Sequence, residues 1–161
     1  MEFTHFDQEG KAIMVDVGEK ADTKRIAVAQ GTIKMSDKCF EMIVNGNHKK
    51  GDVLGVARIA GIMATKKTQE LIPLCHNIFI TKANIDFKLN NDSHTIVCEC
   101  SVETIGKTGI EMEALTGTSV ALLTIYDMCK AIDRSMVIEN ICVLKKDGGR
   151  SGLYERSECN D

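Results

Sequence analysis

The stretch from Glu111 to Lys130 constrains the fold most. It contains no proline, and Gly106-Lys107-Thr108-Gly109 precedes it as a breaker. Leu, Met and Ala dominate it, and these are strong helix formers. Met112, Leu115, Ser119, Leu122 or Leu123, Tyr126 and Cys129 recur at steps of three and four, which predicts one core-facing stripe. A second face carries Glu113, Gly117, Val120, Thr124, Asp127 and Lys130, small or apolar in the middle and ionisable at its ends. Asp127 and Lys130 are neighbours one turn apart. Two readings fit that pair: a surface ion pair, or an acid/base pair beside a pocket.

The remaining elements follow from periodicity and breakers. Met14-Val15-Asp16-Val17 is a short alternation, and Arg25 to Ile33 reads as the first full strand. Ser36 with Asp37 forms a helix-start signal for a short helix, Cys39 to Val44, which Asn45-Gly46-Asn47 stops. Asp52 caps a second helix that is expected to run to about Leu71, with Val53, Val56, Ala57, Ala60, Met63 and Ala64 as its buried stripe. Gly55, Ala57, Ala60, Gly61 and Ala64 make that helix slim. Glycine costs helix stability, so a close packing partner or a ligand is expected there. Lys66 and Lys67 sit near its C-terminal turns, where cations are favoured. Pro73, the only proline, stiffens Leu71 to His76. Ile78 to Leu89 and Thr95 to Glu103 read as a hairpin joined by Asn90-Asn91-Asp92-Ser93. Met136 to Ile138 and Ile141 to Leu144 supply the last strand. The order is β-α-β-β-α-β with an extra short helix. It predicts an α+β, ferredoxin-like two-layer sandwich, an antiparallel sheet with helices on one face. One domain, 1–161, is expected, with mobile segments at about 1–12 and about 147–161.

Composition sets limits. With 161 residues, 43% hydrophobic, 27% charged and a net charge of -3, the chain suits a globular domain rather than a dedicated binder of nucleic-acid polymers. Met1 to Lys20 has the pattern of neither a signal peptide nor a basic presequence. No apolar run is long enough to span a bilayer. Seven cysteines without an export signal predict a reducing cytoplasm and free thiols. No C-x-x-C occurs, and no metal site is predicted. Cys98 and Cys100, two apart in a strand, are expected to share one buried face.

Gly106-Lys107-Thr108 resembles the end of a phosphate-binding loop, but the leading glycine would fall on Ser101, and Glu111 and Glu113 would repel phosphate at the helix start. An ATPase reading is rejected. Lys20, Arg25, Lys50, Lys66, Lys107, Lys130, Lys146 and Arg150 remain as scattered cations. Converging, they would suit a polyphosphate; otherwise they are solvated.

Several segments in order resemble the MoaC family of molybdenum-cofactor biosynthesis. They are Met14-Val15-Asp16-Val17, Lys50-Gly51-Asp52-Val53, Ala57 to Ile62, Leu71-Ile72-Pro73-Leu74-Cys75-His76, Gly106 to Gly109, Glu111 to Thr116 and Leu123 to Ala131. The resemblance implies rearrangement of 3',8-cyclo-7,8-dihydro-GTP, supplied by a radical S-adenosylmethionine enzyme, to cyclic pyranopterin monophosphate with loss of pyrophosphate and with no cofactor. It implies Asp127 as active-site aspartate, with Lys130 and Lys50 acting beside it. It places Leu74, Cys75, His76, Met112 and Glu113 against the substrate, and Lys20, Arg25, Lys66 and Lys146 as the basic residues that bind it. Asn77 stands where the family often has a second proline, and Arg150 where lysine is common. Two other classes stay open: a non-catalytic ligand-binding module, and a metal-dependent lyase using Cys75 and His76.

The resemblance also implies a homohexamer, a trimer of dimers. Glu113 and Asp127 are fourteen residues apart on one helix, roughly 21 Å. One nucleotide cannot sit tightly against both, so a site shared between two chains is expected. Gly117 and Ala121 are the residues expected to let the helix of a second chain approach.

Overall fold

The structure is a computed structural model that describes residues 5–46, 51–156 and 159. Its elements run β1 (Thr23–Lys34), α1 (Asp37–Val44), α2 (Val53–Thr65), α3 (Thr68–Leu71), β2 (Ile80–Asn90), β3 (Thr95–Gly106), α4 (Glu111–Cys129), β4 (Val137–Asp147) and β5 (Tyr154–Glu155). The sheet order is β2-β3-β1-β4-β5, with every neighbouring pair antiparallel. Helices α2 and α4 pack on each other and on the sheet. The expected ferredoxin-like sandwich is therefore present, extended by β5.

Alternation builds the sheet side of the core. On β1, Ala27, Ala29 and Ile33 point inward, and on β3, Ile96, Cys98, Cys100 and Val102 do so. Cys98 and Cys100 thus share the core face, where burial pushes both thiols up to about 12. Helix α4 lies tightly on β1. A Cβ on Gly31 would meet Ile141 Cγ1 and Leu122 Cδ1, each at 2.8 Å. At the far end, the buried Asp133 carboxylate accepts from the Ser36 backbone N–H at 2.7 Å and from Ser135, tying the start of α1 to the exit of α4.

The structure corrects several expectations. The second helix ends at Thr65, and after Lys66 and Lys67 a separate short turn of helix, α3, carries the chain to Leu71. Its buried stripe is Val53, Ala57, Gly61, Ala64 and Thr65, whereas Val56 and Met63 are exposed. The core stripe of α4 is Ala114, Gly117, Thr118, Ala121, Leu122, Ile125, Met128 and Cys129, so Leu122 and Cys129 of the predicted stripe are buried, but the stripe as a whole is rotated from it; Met112 is exposed and Glu113 is buried. Small residues caused this error. Ala and Gly carry little hydrophobic signal, yet they mark the face that lies closest to the sheet and to α2. Gly117 and Ala121 are consequently spent inside the chain. A Cβ on Gly117 would meet Cys100 Sγ at 2.7 Å and Thr65 Cγ2 at 2.8 Å, and Ala121 faces Gly61. They do not offer a surface to a second chain. The last strand is one continuous element through Asp147, and the chain returns beside it as β5. Finally, the thiols are not all free: Cys142 and Cys159 form a disulfide, their Cα atoms 5.6 Å apart, because the returning chain brings Cys159 beside β4.

The slim face of α2 has its expected packing reason. A Cβ added at Gly61 would run into Ile85 and would lie 2.8 Å from the backbone oxygen of Gly117. Gly55 has a different one: a Cβ there would strike the carboxylate of the Asp52 cap, which accepts from the Gly55 N–H at 2.8 Å. Gly61→Val is therefore expected to lower stability by about 1–3 kcal/mol through overpacking. Urea unfolding checks this; an unchanged midpoint would mean that the two helices are free to separate.

Candidate active site

One end of the sheet opens into a cavity of about 680 Å³. Four segments wall it: the arm before β1 (Val15, Val17 and Lys20), the Pro73 loop (Leu74, Cys75 and His76), the turn into α4 (Lys107 to Glu113), and the end of β4 with its following glycine turn (Lys146 to Gly148). Eight predicted site residues meet here: Lys20, Arg25, Leu74, Cys75, His76, Met112, Glu113 and Lys146. Lys66, at the C-terminal cap of α2, is exposed and does not line the cavity. Asp127 and Lys130 lie at the opposite end of α4, joined at 2.6 Å, with both side chains mostly exposed. Lys50 lies outside the described residues.

Arg25 holds the cationic side together. Its Nε donates to the Gly106 carbonyl at 2.9 Å and an Nη donates to the Lys107 carbonyl at 3.1 Å. The stem of Arg25 also packs under Gly148 and its guanidinium under Gly149, whose φ values of 104° and 73° favour glycine. A Cβ at Gly149 would strike that guanidinium. Arg25 thus fixes the two turns that bring Lys107 and Lys146 to the rim, while its remaining donors are left for an anion. Lys146 rests against Glu111 at 3.3 Å.

The apolar side carries a different electrostatic setting. Glu113 is 3% exposed, and its Oε2 is buried without a hydrogen-bond partner. Burial, with the Glu111 charge adding to it, raises its pKa to about 7 against the opposing effect of a backbone hydrogen bond. Burial and then the Glu113 charge raise the neighbouring Cys75 thiol above its ordinary value, which disfavours the thiolate. Among the described residues, no three His, Cys, Asp or Glu side chains gather as a metal-binding set. The site can therefore hold an anion at its rim and exchange a proton near neutrality at Glu113.

Sequence reasoning counted Lys107 only among the scattered cations that would suit a polyphosphate on converging, and left the Val15–Val17 arm out of the candidate residues. Lys107 sat in view within a rejected phosphate-loop pattern, and Val15 and Val17 read only as a short alternation. Their recurrence in family-like segments was the available signal.

The raised Glu113 pKa has a consequence for stability. The folded state holds this proton more tightly than the unfolded chain, so its contribution is full below about 4.5 and is lost as pH rises through about 7. That difference corresponds to about 3 kcal/mol. Glu113→Gln stays neutral, so its stability should exceed that of the wild type increasingly from acid to mildly alkaline pH. Urea unfolding of both proteins across this range tests it; parallel profiles would show that the carboxylate is satisfied when ionised.

Comparison with known proteins gives the site its context. The MoaC family model matches residues 14–149. A cyclic pyranopterin monophosphate synthase of Thermoanaerobacter pseudethanolicus (strain ATCC 33223 / 39E) is 57% identical over 156 residues, 97% of this chain and 99% of the relative. One from Peptoclostridium acidaminophilum is 56% identical over 156 residues, 97% of this chain and 98% of the relative. All four walls of the cavity fall within the span that the family model matches, and on these matches the chain belongs to the MoaC family.

Proposed function

We propose that this protein is a cyclic pyranopterin monophosphate synthase, acting early in molybdenum-cofactor biosynthesis. As a lyase, it converts 3',8-cyclo-7,8-dihydro-GTP to cyclic pyranopterin monophosphate and releases pyrophosphate. The observation that carries this reading is the convergence of family-like segments, distant in sequence, on one cavity with a cationic rim. The triphosphate lies against Lys20, Arg25, Lys107 and Lys146, and displaces Glu111 from Lys146. These cations stabilise charge on the departing pyrophosphate. The purine-derived end lies against Leu74, Cys75, His76, Met112 and Glu113. The substrate comes from a radical S-adenosylmethionine enzyme, and the setting is the cytoplasm. No helix among the described residues is long and apolar enough to cross a membrane.

Asp127, Lys130 and Lys50 complete the site from a second chain. Asp127 stands about 21 Å from Glu113 along the helix, too far to share one tightly held nucleotide with it. The outer faces of the helix layer leave Val56, Ile59, Met63 and Leu123 exposed, at 46%, 62%, 58% and 56%. Two-fold pairing of these faces would bury them and set the end of one α4 near the start of the other. Three such dimers make the hexamer. Each unit is a single domain.

Incubation with the cyclic dihydro-GTP should yield the pyranopterin and pyrophosphate; folded protein giving neither would end this reading. Asp127→Asn should fold normally and lose nearly all turnover. Near-wild-type product formation would remove Asp127 from the chemistry. Complementation addresses the shared site. Inactive Glu113→Ala and Asp127→Ala proteins, mixed under conditions where subunits demonstrably exchange, should regain activity because mixed dimers carry one intact site. With exchange verified, continued inactivity would mean that each site is built within one chain, or that one of the two residues is not in it.

A further inference from the structure

The ring of His76 is held by the backbone of the arm before β1. His76 Nε2 lies 2.7 Å from the Val15 carbonyl oxygen, and both residues line the cavity. A carbonyl oxygen can only accept, so Nε2 must carry the hydrogen. In a neutral imidazole the proton on Nε2 leaves Nδ1 with a free lone pair. No described residue hydrogen-bonds His76 elsewhere.

The arm that makes this contact is itself anchored. Lys107 Nζ donates to the Gly18 carbonyl at 2.5 Å, the Gly18 N–H donates to Asp16 at 2.8 Å, and the Lys20 N–H donates to the Val17 carbonyl at 3.1 Å. On the other side, His76 follows a loop stiffened by Pro73. The carbonyl and the ring are thus fixed independently, by a tied arm and by a stiff loop.

We propose that the Val15 carbonyl locks His76 as the Nε2–H tautomer, so that Nδ1 is the atom that meets the substrate, accepting a hydrogen bond from one of its O–H or N–H groups. The substrate half of this assignment rests on the function proposed above; the tautomer does not. Val15 acts here as a positioning residue through its backbone alone, so its side chain is not the relevant variable. A histidine free to turn would sample both tautomers and several ring orientations, so Nδ1 would not be held toward the substrate as an acceptor. Fixing the ring before substrate arrives removes that cost from binding.

Ring-nitrogen NMR on histidine-labelled, otherwise unaltered protein, above neutral pH, reads the tautomer directly, with His76→Gln identifying the signals. A pyrrole-type Nε2 and a pyridine-type Nδ1 are expected. The opposite tautomer, or an averaged pair, overturns the proposal. Two substitutions then separate the nitrogens. His76→Asn can place an oxygen acceptor near the Nδ1 position but loses the bond to Val15. His76→Gln can keep an N–H donor for Val15 but offers no acceptor at Nδ1. With product formation as readout, Gln should lose on the order of tenfold more kcat/KM than Asn, the value of about one hydrogen bond. A Gln variant as active as the Asn variant, or more so, overturns the role of Nδ1 even if the tautomer is as expected. Failure of the wider site reading looks different: Glu113→Ala and Lys146→Ala would then form product undiminished while the His76 ring signals stayed as expected.

Discussion

The close contact between α2 and α4 is the constraint on which the remaining structure depends. Gly61 of one helix faces the Gly117 backbone of the other, and neither position has room for a side chain. The contact seats α4 low enough to touch β1 through Gly31 and β3 through Cys100 at the same time. Only a helix held that deeply can bury its third residue, Glu113, at the edge of the sheet. Dispersion contacts between small groups, each weak, thereby set the solvation of a carboxyl group.

The cavity is divided between two physical regimes. At the rim, the charges are partly exposed: Lys146 lies between Glu111 and Ser151, and Arg25 spends part of its donor set on backbone carbonyls. Deeper, Glu113 and Cys75 sit where ionisation is penalised, which brings Glu113 to titrate near neutrality and keeps Cys75 a thiol. A phosphate-rich ligand suits the first regime and a purine-derived ring the second. This division also explains why Glu111 and Glu113, two residues apart, do different things. The former is half-buried and paired with Lys146, whereas the latter is sealed from water.

Much of the architecture was legible in the sequence. Strand alternation in β1 and β3, the Asp52 cap and the glycine before α4 placed the elements in order. The rotational setting of the helices was not. On α4 the large apolar residues Met112, Leu115 and Tyr126 drew the predicted core face away from Ala114, Gly117 and Ala121, because transfer free energy scales with side-chain size whereas close approach favours its absence. Of the eight site residues that line the cavity, Leu74, Cys75, His76, Met112 and Glu113 lie in family-like segments, whereas Lys20, Arg25 and Lys146 lie outside them. The tautomer of His76 was beyond reach, because it depends on a backbone oxygen sixty-one residues away. The Cys142–Cys159 pair was equally hidden. Among seven cysteines, spacing alone does not select a partner.

Helix α4 also acts as a measuring rod. Its nineteen residues separate Glu113, in the cavity wall, from Asp127 near the other end, and the distance and angle between them are fixed by residue count alone. Inserting or deleting a single residue in its middle would turn one end by about 100° relative to the other and shift it by about 1.5 Å. Such a change could leave every side-chain type intact and still misalign both ends. Drift in length is therefore closed to this segment, as it is to the turn before it, whose carbonyls Arg25 holds. The helix can exchange residues only in place, and its history should be one of substitution without indels.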